Sequence, residues 1–323
     1  MKHWILVCSP WSFVATLVPF ALAAGVGVRI GGGHWGHWAL GLFAGVLFQA
    51  TTNLLNVWGD ESSGVDGVPG AVRTTPQVHD GLVSLRTVLT AAIACASIAV
   101  VTGLALCFHR ADGVWRFNAP LLVAGMIGFL GATNYTTLAR FKYHGLGVPF
   151  VSFLMGPLEI FVAFSLLHPA PAREALSALA DPAFALAALL LVLPPAALVG
   201  GVMHGNDMRD IPTDRAAGIV TLASRLGRKG ALLYYLACHT LPHCVALCWA
   251  ALILRCGNGA TFAWALLPLL AMPLSIGTMR DAVREYRNDP QRPAWLALER
   301  DSGRVHLVFG LLYALSFALS DAL

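Results

Sequence analysis

Charge is what this sequence has least of. Asp, Glu, Lys and Arg make up 12% of its 323 residues, where a soluble domain carries about 25%. Hydrophobic residues make up 57%, and the mean hydropathy is +0.69. A chain with so few charges cannot cover a water-facing surface, which excludes a soluble globular protein. No CxxC pair occurs among the seven cysteines. Cys8, Cys95, Cys107, Cys238, Cys244, Cys248 and Cys256 lie in or beside apolar runs, as small apolar residues do. A disulfide scaffold and a thiolate zinc site are therefore not expected. Low-complexity linkers and a second, soluble domain are also missing. Gly31-Gly32-Gly33 has no strand before it and no phosphate-loop context, so it reads as a turn.

Long apolar runs are abundant. About 20 helical residues cross a bilayer core, and nine stretches qualify: 11–30, 38–57, 83–107, 119–139, 149–168, 183–203, 231–254, 261–280 and 304–322. The expected fold is an all-α integral membrane protein forming one transmembrane domain over 1–323. The first run has a weak basic start and no small-residue cleavage site, so it is taken as the first span rather than a signal peptide. Placing the N-terminus and the loops after spans 2, 4, 6 and 8 on one side gives that side 16 of the 21 Lys and Arg. Positive loops stay inside, which predicts a cytoplasmic location for this face. The net charge of +4 then reflects topology, and no nucleic-acid partner is expected.

The acids are concentrated on that same face. Asn53, Asn56 and Asp60 fall at i, i+3 and i+7 at the end of span 2, with Glu61, Asp66 and Asp80 following. Asn206, Asp210 and Asp214 fall at i, i+4 and i+8 after span 6, with Asp207 between them and Pro212 placed to perturb the turn. Two such sets repel each other unless a hard cation joins them. Mg²⁺ takes oxygen ligands and fills its remaining positions with water and phosphate. Arg73, Lys142, Arg209 and Arg215 are suited to bind outer phosphate oxygens. Acid, base and amide at a membrane surface predict a site for a diphosphate headgroup, with an apolar cavity for its tail.

These segments resemble the UbiA-type membrane prenyltransferases, and within them the branch that prenylates dihydroxynaphthoate in menaquinone synthesis. The likeness rests on NVWGDESSGVD at 56–66, NDMRDIPTDRAAGIVTL at 206–222, KYHGLGVPFVSFLMGP at 142–157 and SPWSFVATLVPFALAAG at 9–25, and it covers nearly the whole chain. Three positions depart from the branch pattern: Val57 stands for its first Asp, Val148 for the Glu of L-G-E, and Ile219 for the Lys after Gly218. An Arg is also missing before Pro10. Val148 and Ile219 leave the acceptor open.

The resemblance implies a nine-helix bundle in a bacterial inner or plasma membrane, and transfer of an isoprenyl chain from an allylic diphosphate to an aromatic acceptor. Implied magnesium ligands are Asn56, Asp60 and Asp66 on one side and Asp207, Asp210 and Asp214 on the other. Asn53, Arg73, Asn206 and Arg209 would bind substrate, Lys142 would grip the diphosphate, and Tyr143 or Trp58 would line the path of an allylic cation. Glu159 is the one acid inside a span. It serves either acceptor recognition and proton removal or a neutral structural hydrogen bond. His168 reads as interfacial, and the charged stretch 280–304 as a solvated connection. The alternatives are a UbiA-like terpene cyclase, a transferase with another acceptor, and an ion-coupled transporter. The last fits poorly, because transporter sites lie near mid-depth.

Overall fold

The computed structural model describes residues 4, 7–31, 33–62, 76–111, 114–135, 141, 144–216, 218–255, 259–289 and 295–320. Among the described residues eight helices are long and apolar enough to cross a membrane: α1 (Pro10–Ile30), α2 (Trp35–Ser62), α3 (Leu85–Leu106), α5 (Gly147–Leu167), α6 (Pro182–Ala216), α7 (Leu222–Arg255), α8 (Thr261–Asn288) and α9 (Leu298–Leu319). A shorter apolar helix, α4 (Ala119–Asn134), completes the set. The nine expected spans are all present. A hairpin of β1 (Phe108–Ala111) and β2 (Val114–Phe117) joins α3 to α4, and the apolar-run reading had given no sign of it.

The spans differ from expectation mainly in length. Helix α2 has 28 residues and α6 has 35, or about 42 and 52 Å at 1.5 Å per residue. A bilayer core is about 30 Å thick, so both helices outrun it. The Asn/Asp segments occupy the surplus turns. Pro212 does not end α6, which stays helical to Ala216. Helix α7 is broken near its start by Gly227, whose φ of 66° suits a residue without a side chain.

Small residues set the packing, as expected between helices in lipid. Helix α1 lies along α9 with Gly25 against the Ala314 carbonyl and Gly310 against Val18. Both number pairs rise together, so the two helices run parallel. Helix α5 packs on α1, α2 and α6, and α6 also packs on α7 and α9. Polar ties cross the bundle: the Tyr235 hydroxyl of α7 lies 2.9 Å from Thr278 Oγ1 of α8 and 2.7 Å from Ser302 Oγ of α9. Tyr313 donates to the Leu190 carbonyl at 2.8 Å. Each buried hydroxyl thereby gains the partner that hydrocarbon cannot supply.

Candidate active site

A cavity of about 1110 Å³ runs into the bundle from the end where α2 and α6 overshoot. Its mouth carries Asn53, Asn56 and Asp60 of α2, Asn206 of α6, and Glu299, Arg300 and Arg304 of α9. Its interior is mostly apolar, with Phe48, Phe129, Tyr135, Leu154 and Leu158 among the wall residues. Val100 and Leu104 of α3 and Met126 and Leu130 of α4 line it too and keep part of their surface accessible.

On α2 the helical reading of Asn53, Asn56 and Asp60 is correct. Asn53 Nδ2 donates to Ser12 Oγ at 2.8 Å and to the Cys8 carbonyl at 2.9 Å, anchoring this stripe to the start of α1. Asn56 Oδ1 is buried and has no hydrogen-bond partner among the described residues, a cost that a ligand would remove. Val57 is buried in an apolar cluster with Leu54, Val78, Val83 and Val88. Trp58 packs against that cluster and is not part of the cavity wall.

On α6 the stripe splits. At 100° per residue Asp210 lies 40° round from Asn206, while Asp207 and Asp214 lie about 100° and 80° round. Of the stripe only Asn206 lines the cavity; Asp210 sits beside it without reaching the wall, and Asp207 and Asp214 are buried to the side. Arg209 binds the stripe together. Its Nε and Nη2 each donate to Asp210 at 2.8 Å, Nη2 also donates to Asn206 Oδ1, and Nη1 donates to Glu299 Oε2 at 3.1 Å. The close approach of α9 requires Gly205, where an added Cβ would stand 3.2 Å from the Glu299 nitrogen.

Glu299, Arg300 and Arg304 were not expected here. The stretch 280–304 is not simply a solvated connection: α8 continues to Asn288, Trp295 is buried with Nε1 donating to the Ala282 carbonyl at 3.1 Å, and α9 begins at Leu298. The i, i+4 spacing of Arg300 and Arg304 at the start of an apolar run was the available signal. Asp66, Arg73, Lys142 and Tyr143 lie outside the described residues. The segment following Lys142 and Tyr143 does reach the second motif, since His144 pairs with Val220 in a parallel bridge.

Glu159 begins the regular part of α5 after a π turn over Leu154–Leu158. It lies deep in the cavity wall, with Gly45 and Thr16 beside it. Gly45 is eight residues from Asn53 along α2, so Glu159 sits about 12 Å below the Asn53 level. Its Oε2 has no hydrogen-bond partner among the described residues. His168 caps the end of α5 and is buried in the protein there, with Nε2 3.3 Å from the Gly27 carbonyl. Val148 and Ile219 are buried as well.

Residues 11–299 match the UbiA prenyltransferase family. The chain belongs to that family. It is therefore a membrane prenyltransferase, and the transporter alternative does not stand. Across 320 residues this UbiA-family chain is 27% identical to human UbiA prenyltransferase domain-containing protein 1, covering 99% of this chain and 84% of that protein. It is 25% identical over 284 residues to 1,4-dihydroxy-2-naphthoate octaprenyltransferase of Bacillus subtilis, covering 86% and 80%. Its fold matches a UbiA homolog from Archaeoglobus fulgidus bound to DMAPP and Mg²⁺, with a TM-score of 0.62 at 16% identity over 99% of this chain and 100% of that one.

Proposed function

We propose that this enzyme transfers an isoprenyl chain from an allylic prenyl diphosphate to 1,4-dihydroxy-2-naphthoate or a related quinone precursor, working as one transmembrane domain with its mouth on the cytoplasmic face. The cavity carries this reading. One end offers carboxylates, amides and guanidinium groups, and the rest is an apolar channel, which complements a diphosphate joined to a hydrocarbon tail. The Bacillus relative supports the naphthoate acceptor by its own activity.

The donor set suits magnesium. No group of three or more His, Cys, Asp or Glu among the described residues converges to hold an ion unaided. Mg²⁺ is commonly held by one or two carboxylates plus phosphate oxygens, and the unpartnered Asn56 Oδ1 beside Asp60 fits that mode. Asn56 and Asp60 would hold one ion and Asp210 the other, with Asp66 following the first set in sequence. When bound, magnesium supplies Lewis-acid stabilisation of the leaving diphosphate.

The protein's own groups do the rest. Arg300 and Arg304, with Lys142 and Arg73, attract the outer phosphate oxygens. Arg209 holds Asn206, Asp210 and Glu299 in fixed positions, so that little reorganisation is needed as charge develops. Phe48, Phe129 and Tyr135 present π faces to an allylic cation and exclude water. Glu159 meets the substrate about 12 Å below the Asn53 level, against the hydrocarbon tail rather than the reacting carbon.

The test is an assay in detergent or liposomes with labelled prenyl diphosphates, dihydroxynaphthoate and Mg²⁺. Metal-dependent prenylated product establishes the reading. Diphosphate release without that product shifts the acceptor, or points to cyclisation.

A further inference from the structure

Six histidines are buried among the described residues, and five have a polar partner or stand apart from the cavity. His204 Nε2 lies 2.9 Å from the Ala231 carbonyl, His239 Nε2 3.0 Å from Ser302 Oγ, and His243 Nε2 2.8 Å from Ser275 Oγ. His168 reaches the Gly27 carbonyl, and His109 belongs to the hairpin. His306 differs. It is completely buried, it lines the cavity, and both of its ring nitrogens lack a partner among the described residues. A neutral imidazole carries one donor and one acceptor, and leaving both unmet is costly.

The position of His306 along the cavity gives this vacancy a use. Gly310 of α9 abuts Val18 of α1, and one turn back along these parallel helices places His306 level with Val14. Ser12, two residues nearer the mouth, accepts the hydrogen bond from Asn53. The Gly25–Ala314 contact of the same helices places His306 level with Leu17 instead, so His306 sits about 3–8 Å below the Ser12–Asn53 contact. Helical side chains lean toward their own N-terminus, which for α9 is the Glu299 end. The imidazole thus faces the boundary between the polar mouth and the apolar channel, where a diphosphate held at Asn56 and Asp60 would present its reacting carbon.

We propose that His306 is the proton acceptor for the hydroxyl of an aromatic acceptor such as a naphthol or phenol; this rests on the prenyl-transfer reading above. The C–O bond to diphosphate breaks, and its electron pair leaves with the diphosphate. The ring carbon next to the hydroxyl bonds to the allylic carbon while the O–H proton passes to the free imidazole nitrogen. The resulting ketone gives its ring proton to the released diphosphate, or loses carbon dioxide from a ring carboxylate, and regains the O–H proton from the imidazolium. Proton transfer to a positioned imidazole typically contributes on the order of 100-fold or more. Asp60, Glu159, Glu299, Arg300 and Arg304 are the other charged groups on the cavity wall. Behind α9 stand His239 and His243, each already bonded to a serine, and the Arg209–Asp210 pair.

The experiment measures transfer by full-length wild-type protein and by His306→Asn from pH 5.5 to 9.5, with binding of a non-reactive prenyl thiodiphosphate and Mg²⁺ measured in parallel. Asn keeps a polar side chain but takes no proton. The expected result is thiodiphosphate binding within threefold of wild type and transfer lowered about 100-fold at pH 7. The acid limb of the wild-type profile should be gone in the variant, and its rate should rise with pH as the acceptor hydroxyl ionises unaided. Wild-type transfer by His306→Asn at every pH, or parallel loss of binding and transfer, overturns the proposal. Wild-type protein that binds no prenyl thiodiphosphate overturns the prenyl-transfer reading, and this assignment with it.

Discussion

Arg209 and Glu299, ninety positions apart in sequence, are joined by a 3.1 Å ion pair that fixes the end of α6 against the start of α9. The same guanidinium grips Asp210 through two nitrogens, so Asp210 and Glu299 depend on one cation. Arg209→Ala leaves two partly buried carboxylates without it. Hydrogen bonds to charged groups contribute about 1.5–3 kcal/mol each. The variant should unfold at lower temperature in detergent and lose most transfer activity, while Arg209→Lys, which cannot form the fork, should recover stability better than rate.

Gly205 permits that contact. Gly205→Val puts branched bulk against the Leu298–Glu299 backbone and should separate α6 from α9. Transfer is expected to fall by on the order of 100-fold, with unchanged membrane insertion. Activity near wild type would show that the Arg209–Glu299 spacing does not matter.

Asp60 and Asp210 are proposed to hold metal and should be intolerant of change. Asp60→Ala and Asp210→Ala should each lower kcat/KM by on the order of 100-fold or more, and chelation of magnesium should abolish transfer by the wild type. Arg300→Ala and Arg304→Ala should act differently, raising KM for the diphosphate and making that KM less sensitive to salt. A kcat effect alone would remove these two arginines from donor binding.

Glu159 should sort donors by length. Glu159→Leu replaces a polar wall group deep in the channel with an apolar one, worth roughly 0.8 kcal/mol per methylene brought into contact. Transfer of a five-carbon donor should change little, while donors of several isoprene units should gain several-fold in kcat/KM. Equal loss with every donor would instead place Glu159 at the reacting centre.

Much of this was legible in the sequence because lipid simplifies the problem. Each of the nine apolar runs has its helix among the described residues, since backbone groups in hydrocarbon must pair within their own segment. Asn53, Asn56 and Asp60 kept helical phase over two turns, so their shared face could be read directly. The Asn206–Asp214 stripe could not, because 40° of drift at each four-residue step turned first Asp210 and then Asp214 off the cavity wall. Glu299, Arg300 and Arg304 went unrecognised for another reason. Their role depends on α9 lying beside α6 and α1, a long-range relation that local pattern does not encode. The hairpin after α3 was hidden in a short connection, and His306 inside an apolar run.

The extra turns of α2 and α6 carry the polar mouth beyond the length of a bilayer core, while the rest of the cavity is walled by apolar side chains. A donor that is half salt and half oil can glide along one leaflet and be captured without either half crossing into the wrong medium.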